Sequence, residues 1–109
     1  FFHAKIQSIP MKEALEKLAN QSDQIILLDV RLPYEYEKGH LKGSINIPLS
    51  QLELAEKQIS DKDRKLFVYC RTGARSAQAC AMLMKMGFSD PINIGGIEEV
   101  NEKDEILES

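Results

Sequence analysis

Apolar positions along the chain change period several times, and each change predicts an element. K-I-Q-S-I (5–9) reads as an edge strand. Pro10 suits a first helical turn, and Met11, Ala14, Leu15, Leu18 and Ala19 follow at helical spacing. Q-I-I-L-L-D-V (24–30) is a continuous apolar run, the pattern of a parallel strand buried on both faces. Pro33 stops it, Y-E-Y-E-K (34–38) allows one or two helical turns, and Gly39-His40 reads as a turn. S-I-N-I-P (44–48) is a short strand ended by proline.

The second half repeats the alternation. Ser50 suits the cap of a helix over 51–59, with Glu53 three residues on as in a capping box. D-K-D-R (61–64) is a charged turn and K-L-F-V-Y-C (65–70) a second buried strand. Residues 75–86 predict a helix apolar almost all round and therefore central, ended by Gly87. P-I-N-I (91–94) is a further strand, Gly95-Gly96 a turn, and 97–107 a last helix. Such alternation predicts an α/β fold, a parallel sheet covered by helices on both faces. At 109 residues, with no repeat and no linker, one domain over 1–109 is expected.

Charge excludes one class of partner. The net charge is −3, and E-E-V-N-E-K-D-E-I-L-E (98–108) holds six acids and one lysine. A nucleic-acid-binding surface is therefore not expected. The acidic run reads as a solvated face, with a partner-docking tail as the sharper alternative. No apolar run approaches a membrane span, and no signal peptide is visible. A cytoplasmic monomer is the expectation, although a chain beginning Phe1-Phe2 leaves an upstream signal or anchor open.

The chemistry concentrates in Y-C-R-T-G-A-R-S (69–76). Cys70 ends a central strand just before a helix, the position where open α/β sheets bind ligands. Gly73 allows the loop to turn its N–H groups inward, and the next helix adds its positive end. Arg71 and Arg75 add charge, with no acid beside them in the sequence. All of this favours thiolate over thiol, and the thiolate is the nucleophile. A core cysteine that merely precedes a helix would leave two arginines and a glycine unexplained. Cysteine phosphatases use C-x5-R, whereas Cys70 to Arg75 is C-x4-R and Ser76 holds the sixth place. A shorter loop suits a smaller cargo, one sulfur atom carried as a persulfide.

The remaining residues have blander readings. Asp29 and Arg31, at a strand end, read as a loop-holding pair more readily than as substrate contacts. His40 could form a dyad with Cys70, but an imidazole bonded to backbone is the simpler reading. Cys80 reads as core packing, with a resolving thiol as the alternative. Met82, Met84 and Met86 read as core filling, with Met84 facing away from the other two. Gly95-Gly96 lacks a dinucleotide-loop context. His3 carries no signal. Two cysteines build neither a disulfide framework nor a zinc site, and no cofactor is expected.

The loop C-R-T-G-A-R-S resembles the active-site loop of single-domain rhodaneses, which are thiosulfate or persulfide sulfurtransferases. The resemblance extends over nearly the whole chain. L-L-D-V-R (27–31), Y-E-Y-E-K-G-H-L-K-G-S-I-N-I-P (34–48) and N-I-G-G-I (93–97) are similar to the family's other motifs. Leu41 and Ser44 stand where Ile and Ala are usual, and Val100 where many members carry Trp. The resemblance implies a five-stranded parallel sheet and a two-step reaction. Cys70 would take a sulfane sulfur from a small anionic donor or a protein. It would then pass that sulfur to cyanide, a thiol or a protein acceptor. Arg71, Thr72, Gly73, Ala74, Arg75 and Ser76 would form the persulfide-holding loop. Arg71 would orient the donor, and Arg75 would brace the loop, with Asp29 as a candidate partner. Two other readings stand beside this one: a persulfide carrier or sensor serving a protein partner, and a cysteine phosphatase or arsenate reductase.

Overall fold

The computed structural model describes residues 5–101 and 107–109. In chain order the elements are β1 (Gln7–Ser8), α1 (Met11–Gln21), β2 (Ile25–Asp29), α2 (Pro33–Lys38), β3 (His40–Leu41) and β4 (Ile45–Asn46). A 3-10 segment (Leu49–Leu54) then runs into α3 (Ala55–Gln58). They continue with β5 (Lys65–Cys70), α4 (Ala74–Lys85), β6 (Asp90–Gly96), a 3-10 turn (Ile97–Glu99) and β7 (Leu107–Glu108). Five strands form one sheet in the order β1-β6-β5-β2-β4, and every pairing in it is parallel. Helices pack around this sheet, as the alternation predicts.

The period of two along β5 divides the core. Leu66, Val68 and Cys70 join Ala79, Cys80 and Leu83 of α4 on one face, together with Leu52, Ala55 and Ile59. Phe67 and Tyr69 point to the other face and pack with Met11, Ala14, Leu27, Ile92 and Ile94. Successive side chains of a strand take opposite faces, so the strand that delivers Cys70 to the α4 side delivers Tyr69 to the α1 side. β2 follows the same rule: Leu28 lies in the first cluster, Leu27 in the second.

Five expectations change. The helix expected over 51–59 starts earlier and as a 3-10 segment, because Pro48 opens the turn and its carbonyl accepts from Gln51 N at 2.8 Å. Ser50 is thus already inside the segment and caps nothing. Gly95-Gly96 is no turn; both residues continue β6. His40 is not in a turn either. It starts β3, which pairs antiparallel with β7, His40 opposite Glu108. The helix expected over 97–107 is one 3-10 turn followed by extended Val100, with β7 at its far end; residues 102–106 of that expectation lie outside the described residues. Of the three methionines, Met86 packs against the core and Met84 is half-buried, but Met82 is exposed.

Candidate active site

The candidate site is built where β5 ends and α4 begins. Cys70 is the last residue of β5 and Gly73 precedes the first turn of α4 with φ +109°, a conformation that favours glycine. The tight turn brings Gly73 N to 3.0 Å from Cys70 Sγ. The seat beneath the loop is Gly96. A Cβ there would overlap the carbonyl oxygen of Arg71 and the Cα of Thr72, so the loop rests directly on the β6 backbone.

A second layer fixes the loop. Ser76 Oγ lies 2.6 Å from Asn93 Oδ1, 3.1 Å from Gly73 O and 3.5 Å from Cys70 Sγ. Asn93 Nδ2 also donates to Gly73 O at 3.3 Å, and Asn93 Oδ1 accepts from Gly95 N at 3.0 Å. One hydroxyl proton faces three acceptors, and an ionised Cys70 is the most demanding of them. Burial pushes the Cys70 thiol up, but the Ser76 hydroxyl and the N–H groups of Ser76, Gly73 and Thr72 together hold it below its ordinary value. Cys70 as a whole is buried, 1% exposed.

The arginines do not stand as free charges. Arg75 makes a bidentate contact with Glu35, at 2.7 and 3.0 Å. Hydrogen bonding to Arg75 drops the Glu35 carboxyl to about 2, against the opposing effect of burial and with help from the Leu32 N–H. Arg71 Nε meets Glu98 Oε1 at 2.7 Å on the open surface. Arg31 and Asp29 form a buried pair at 2.7 Å, and Arg31 Nη2 also donates to Gly39 O at 2.7 Å. Burial opposes the Arg31 charge and Asp29 more than restores it, leaving its pKa raised. An open depression of about 390 Å³ beside the loop is lined by Arg31, Tyr34, Glu35, Lys38 and Arg71 on one part, and by Ile97, Val100 and Leu107 on another.

The comparisons with known proteins bear on this arrangement. The family model described as Rhodanese-like domain matches residues 11–103. The chain belongs to the rhodanese family. A sulfurtransferase of Allochromatium vinosum is 34% identical over 91 residues, 84% of this chain and 83% of that protein. The thiosulfate sulfurtransferase PspE of Escherichia coli is 38% identical over 74 residues, 67% of this chain and 71% of that one. Among solved structures, a rhodanese with anions from E. coli is 36% identical with a TM-score of 0.66, covering 70% of this chain and 91% of that chain.

Within this rhodanese the loop residues of the motif gather around Cys70, and one sequence expectation, Asp29 as the partner of Arg75, needs amendment. The partner of Arg75 is Glu35, not Asp29, because Asp29 is taken up by Arg31. Acids do stand beside the loop arginines; they arrive from α2 and from the turn after β6, too far along the chain for local reading to find. His40 is tied by Nδ1 to Tyr36 O at 2.8 Å, stacks on the Tyr36 ring and meets Glu108 through Nε2 at 3.3 Å. Both ring nitrogens of His40 are thus engaged by groups other than Cys70. Cys80 is fully buried in α4 and its thiol is pushed up to about 12 by burial alone. Asn93 and Gly96, both inside N-I-G-G-I, are the site residues that sequence reasoning missed as individuals. The Gly-Gly doublet was the available signal, since a strand seldom carries two glycines without a close backbone approach. Among the described residues, no group of three His, Cys, Asp or Glu side chains could hold a metal ion, and no helix is long and apolar enough to cross a membrane.

Proposed function

We propose that the chain is a sulfurtransferase that carries one sulfane sulfur as a persulfide on Cys70. The observation that carries this reading is the convergence of Gly73 N–H, other loop N–H groups and the Ser76 hydroxyl on a buried sulfur, holding the thiol below its ordinary pKa. The similarity to sulfurtransferases supports it, and the similar E. coli rhodanese with anions supports an anion-binding loop here. The Cys70 thiolate attacks the outer sulfur of thiosulfate. A sulfur–sulfur bond forms as the old one breaks, and sulfite leaves with the electron pair. An acceptor thiolate or cyanide then attacks the outer sulfur of the persulfide, and the Cys70 thiolate is restored with its electron pair. The rate of each step depends on thiolate fraction and on the acidity of the leaving group. Throughout, the loop donors hold a single negative charge, on Cys70 Sγ or on the sulfur beyond it.

Arg71 draws and orients the anionic donor; Arg75, held by Glu35, braces the loop, and Asp29 and Arg31 brace the strand end beside it. The Glu35 contact also disfavours a phosphatase. That chemistry needs a guanidinium to clamp phosphoryl oxygens, and the Arg75 guanidinium is engaged elsewhere. Residues 1–109 act as one domain in this reading.

Intact mass after incubation with thiosulfate tests the proposal. Wild type gains one sulfur, Cys70→Ser gains none, and cyanide releases thiocyanate from the loaded protein. No gain from thiosulfate or from a persulfide donor would overturn it. Reversing the charge of Arg71 raises KM for thiosulfate more than for a neutral donor. Equal effects on both donors would remove Arg71 from donor binding.

A further inference from the structure

Three arginines surround the candidate site, and each is matched by a carboxylate: Arg31 by Asp29, Arg75 by Glu35 and Arg71 by Glu98. The three pairs differ in what surrounds them. Asp29 and Arg31 are almost wholly buried, and Glu35 is largely so. Neither pair can open without stranding a charge away from water, which is costly. Arg71 and Glu98 are 64% and 52% exposed. Water takes over both groups if they separate, so this pair opens and closes at little cost.

Glu98 is also held in place. It sits in the 3-10 turn Ile97–Glu99, its N–H donates to Arg71 O at 3.3 Å, and Val100 N closes the turn on Ile97 O at 3.0 Å. Its backbone is thus fixed against the backbone of the very residue its side chain meets. The flanking residues Ile97 and Val100 line the same depression as Arg71. An oxyanion on a guanidinium is the same class of contact that an anionic donor would make.

We propose that Glu98 is a built-in competitor for the anion subsite at Arg71, displaced when an anionic sulfur donor binds. The proposal rests on the donor-binding role of Arg71 given above. It assigns Glu98 a part in specificity: small free anions bind weakly because they must first displace a tethered carboxylate. A donor that brings further contacts in the depression is penalised less.

The test reads affinity and turnover separately. In a Cys70→Ser background, which cannot transfer sulfur, thiosulfate is titrated while the backbone amides of Thr72 and Gly73 are followed by NMR. Glu98→Gln is expected to tighten binding about two- to fivefold, the range an exposed ion pair commands. With Cys70 present, the same gain should fall in KM for thiosulfate rather than in kcat. Adding Arg71→Ala should abolish the gain. Glu99→Gln removes the same charge one residue away and should give less. Equal tightening by Glu98→Gln and Glu99→Gln, persistence of the gain without Arg71, or no saturable binding in any variant would each overturn the proposal. Should thiosulfate bind the Cys70→Ser protein with the Glu98→Gln gain while wild type moves no sulfur, the sulfur-transfer reading fails and the competitor stands.

Discussion

Cys70 and Cys80 lie in one core cluster, and both are almost completely removed from solvent, yet their thiols move in opposite directions. Cys80 sits mid-helix, where the backbone N–H groups are committed to the turn before it. Its surroundings offer desolvation and nothing else. Cys70 sits at a strand end, where N–H groups of the loop and first turn have no partner within the helix. Burial does not make a cysteine reactive or inert. What decides is whether unspent donors face the sulfur once water has gone.

The largest test of that contrast exchanges the two cysteines in turn. Cys70→Ser should lose sulfur transfer completely, while Cys80→Ala should keep activity within about twofold and cost about 1 kcal/mol of stability for the lost packing. Thiocyanate release and urea unfolding read the two effects. Next in size is Gly96→Ala. Its methyl group forces the loop off its seat and the donors away from the sulfur. A fall in kcat/KM of about a hundredfold is expected, since misplacing reacting groups by an ångström has effects of that order. Activity near wild type would mean that the loop finds another support.

A finer test removes only the Ser76 hydroxyl. In Ser76→Ala one donor to the sulfur is lost, so the pH profile of Cys70 alkylation by iodoacetamide should move to higher pH. Turnover at pH 6 should fall about three- to tenfold, the range of one hydrogen bond. An unmoved profile would place the whole effect in the backbone N–H groups. The smallest effect concerns the brace. The Glu35 carboxyl titrates near 2 in the fold, against an ordinary 4.5, so the folded protein binds that proton more weakly than the unfolded chain. The resulting stabilisation is complete above pH 4.5 and fades as pH falls towards 2. It amounts to about 1–2 kcal/mol once screening of the half-exposed Arg75 is allowed for. Glu35→Gln should lower the urea midpoint at pH 7 and flatten its decline between pH 4.5 and 2.

Period and punctuation along the chain were enough to read β2, β5, α1 and α4, because their apolar runs are long. The position of Cys70 followed from them, as did a glycine loop before a helix. Failures cluster where meaning depends on partners distant in sequence. Glu98 reads as part of a solvated face, and Glu35 as one residue of a short helix, until the fold sets them against Arg71 and Arg75. Ser50 reads as a cap only if Pro48 ends the strand before it; in the fold Pro48 instead opens the 3-10 segment that contains Ser50. The stretch after Gly96 reads as helical, but among its described residues Ile97–Glu99 make one 3-10 turn, Val100 is extended and Leu107–Glu108 pair as a strand. Leu107 and His40 belong to a two-stranded pairing that spans most of the chain, which no local window can reveal.

The β5–β6 pairing carries one further consequence. Its register slips between Val68 and Tyr69: Val68 faces Asn93, but Tyr69 faces Gly95 and Cys70 faces Gly96. One residue of β6, Ile94, is therefore passed over, and that surplus residue is what aligns the side-chain-free seat with the reactive sulfur. Alignment by counting tolerates exchange of residues far better than change of length. Family members should scarcely vary in the number of residues separating the β6 asparagine from its second glycine, and a one-residue deletion there should silence the protein even where every residue of the cysteine loop is intact.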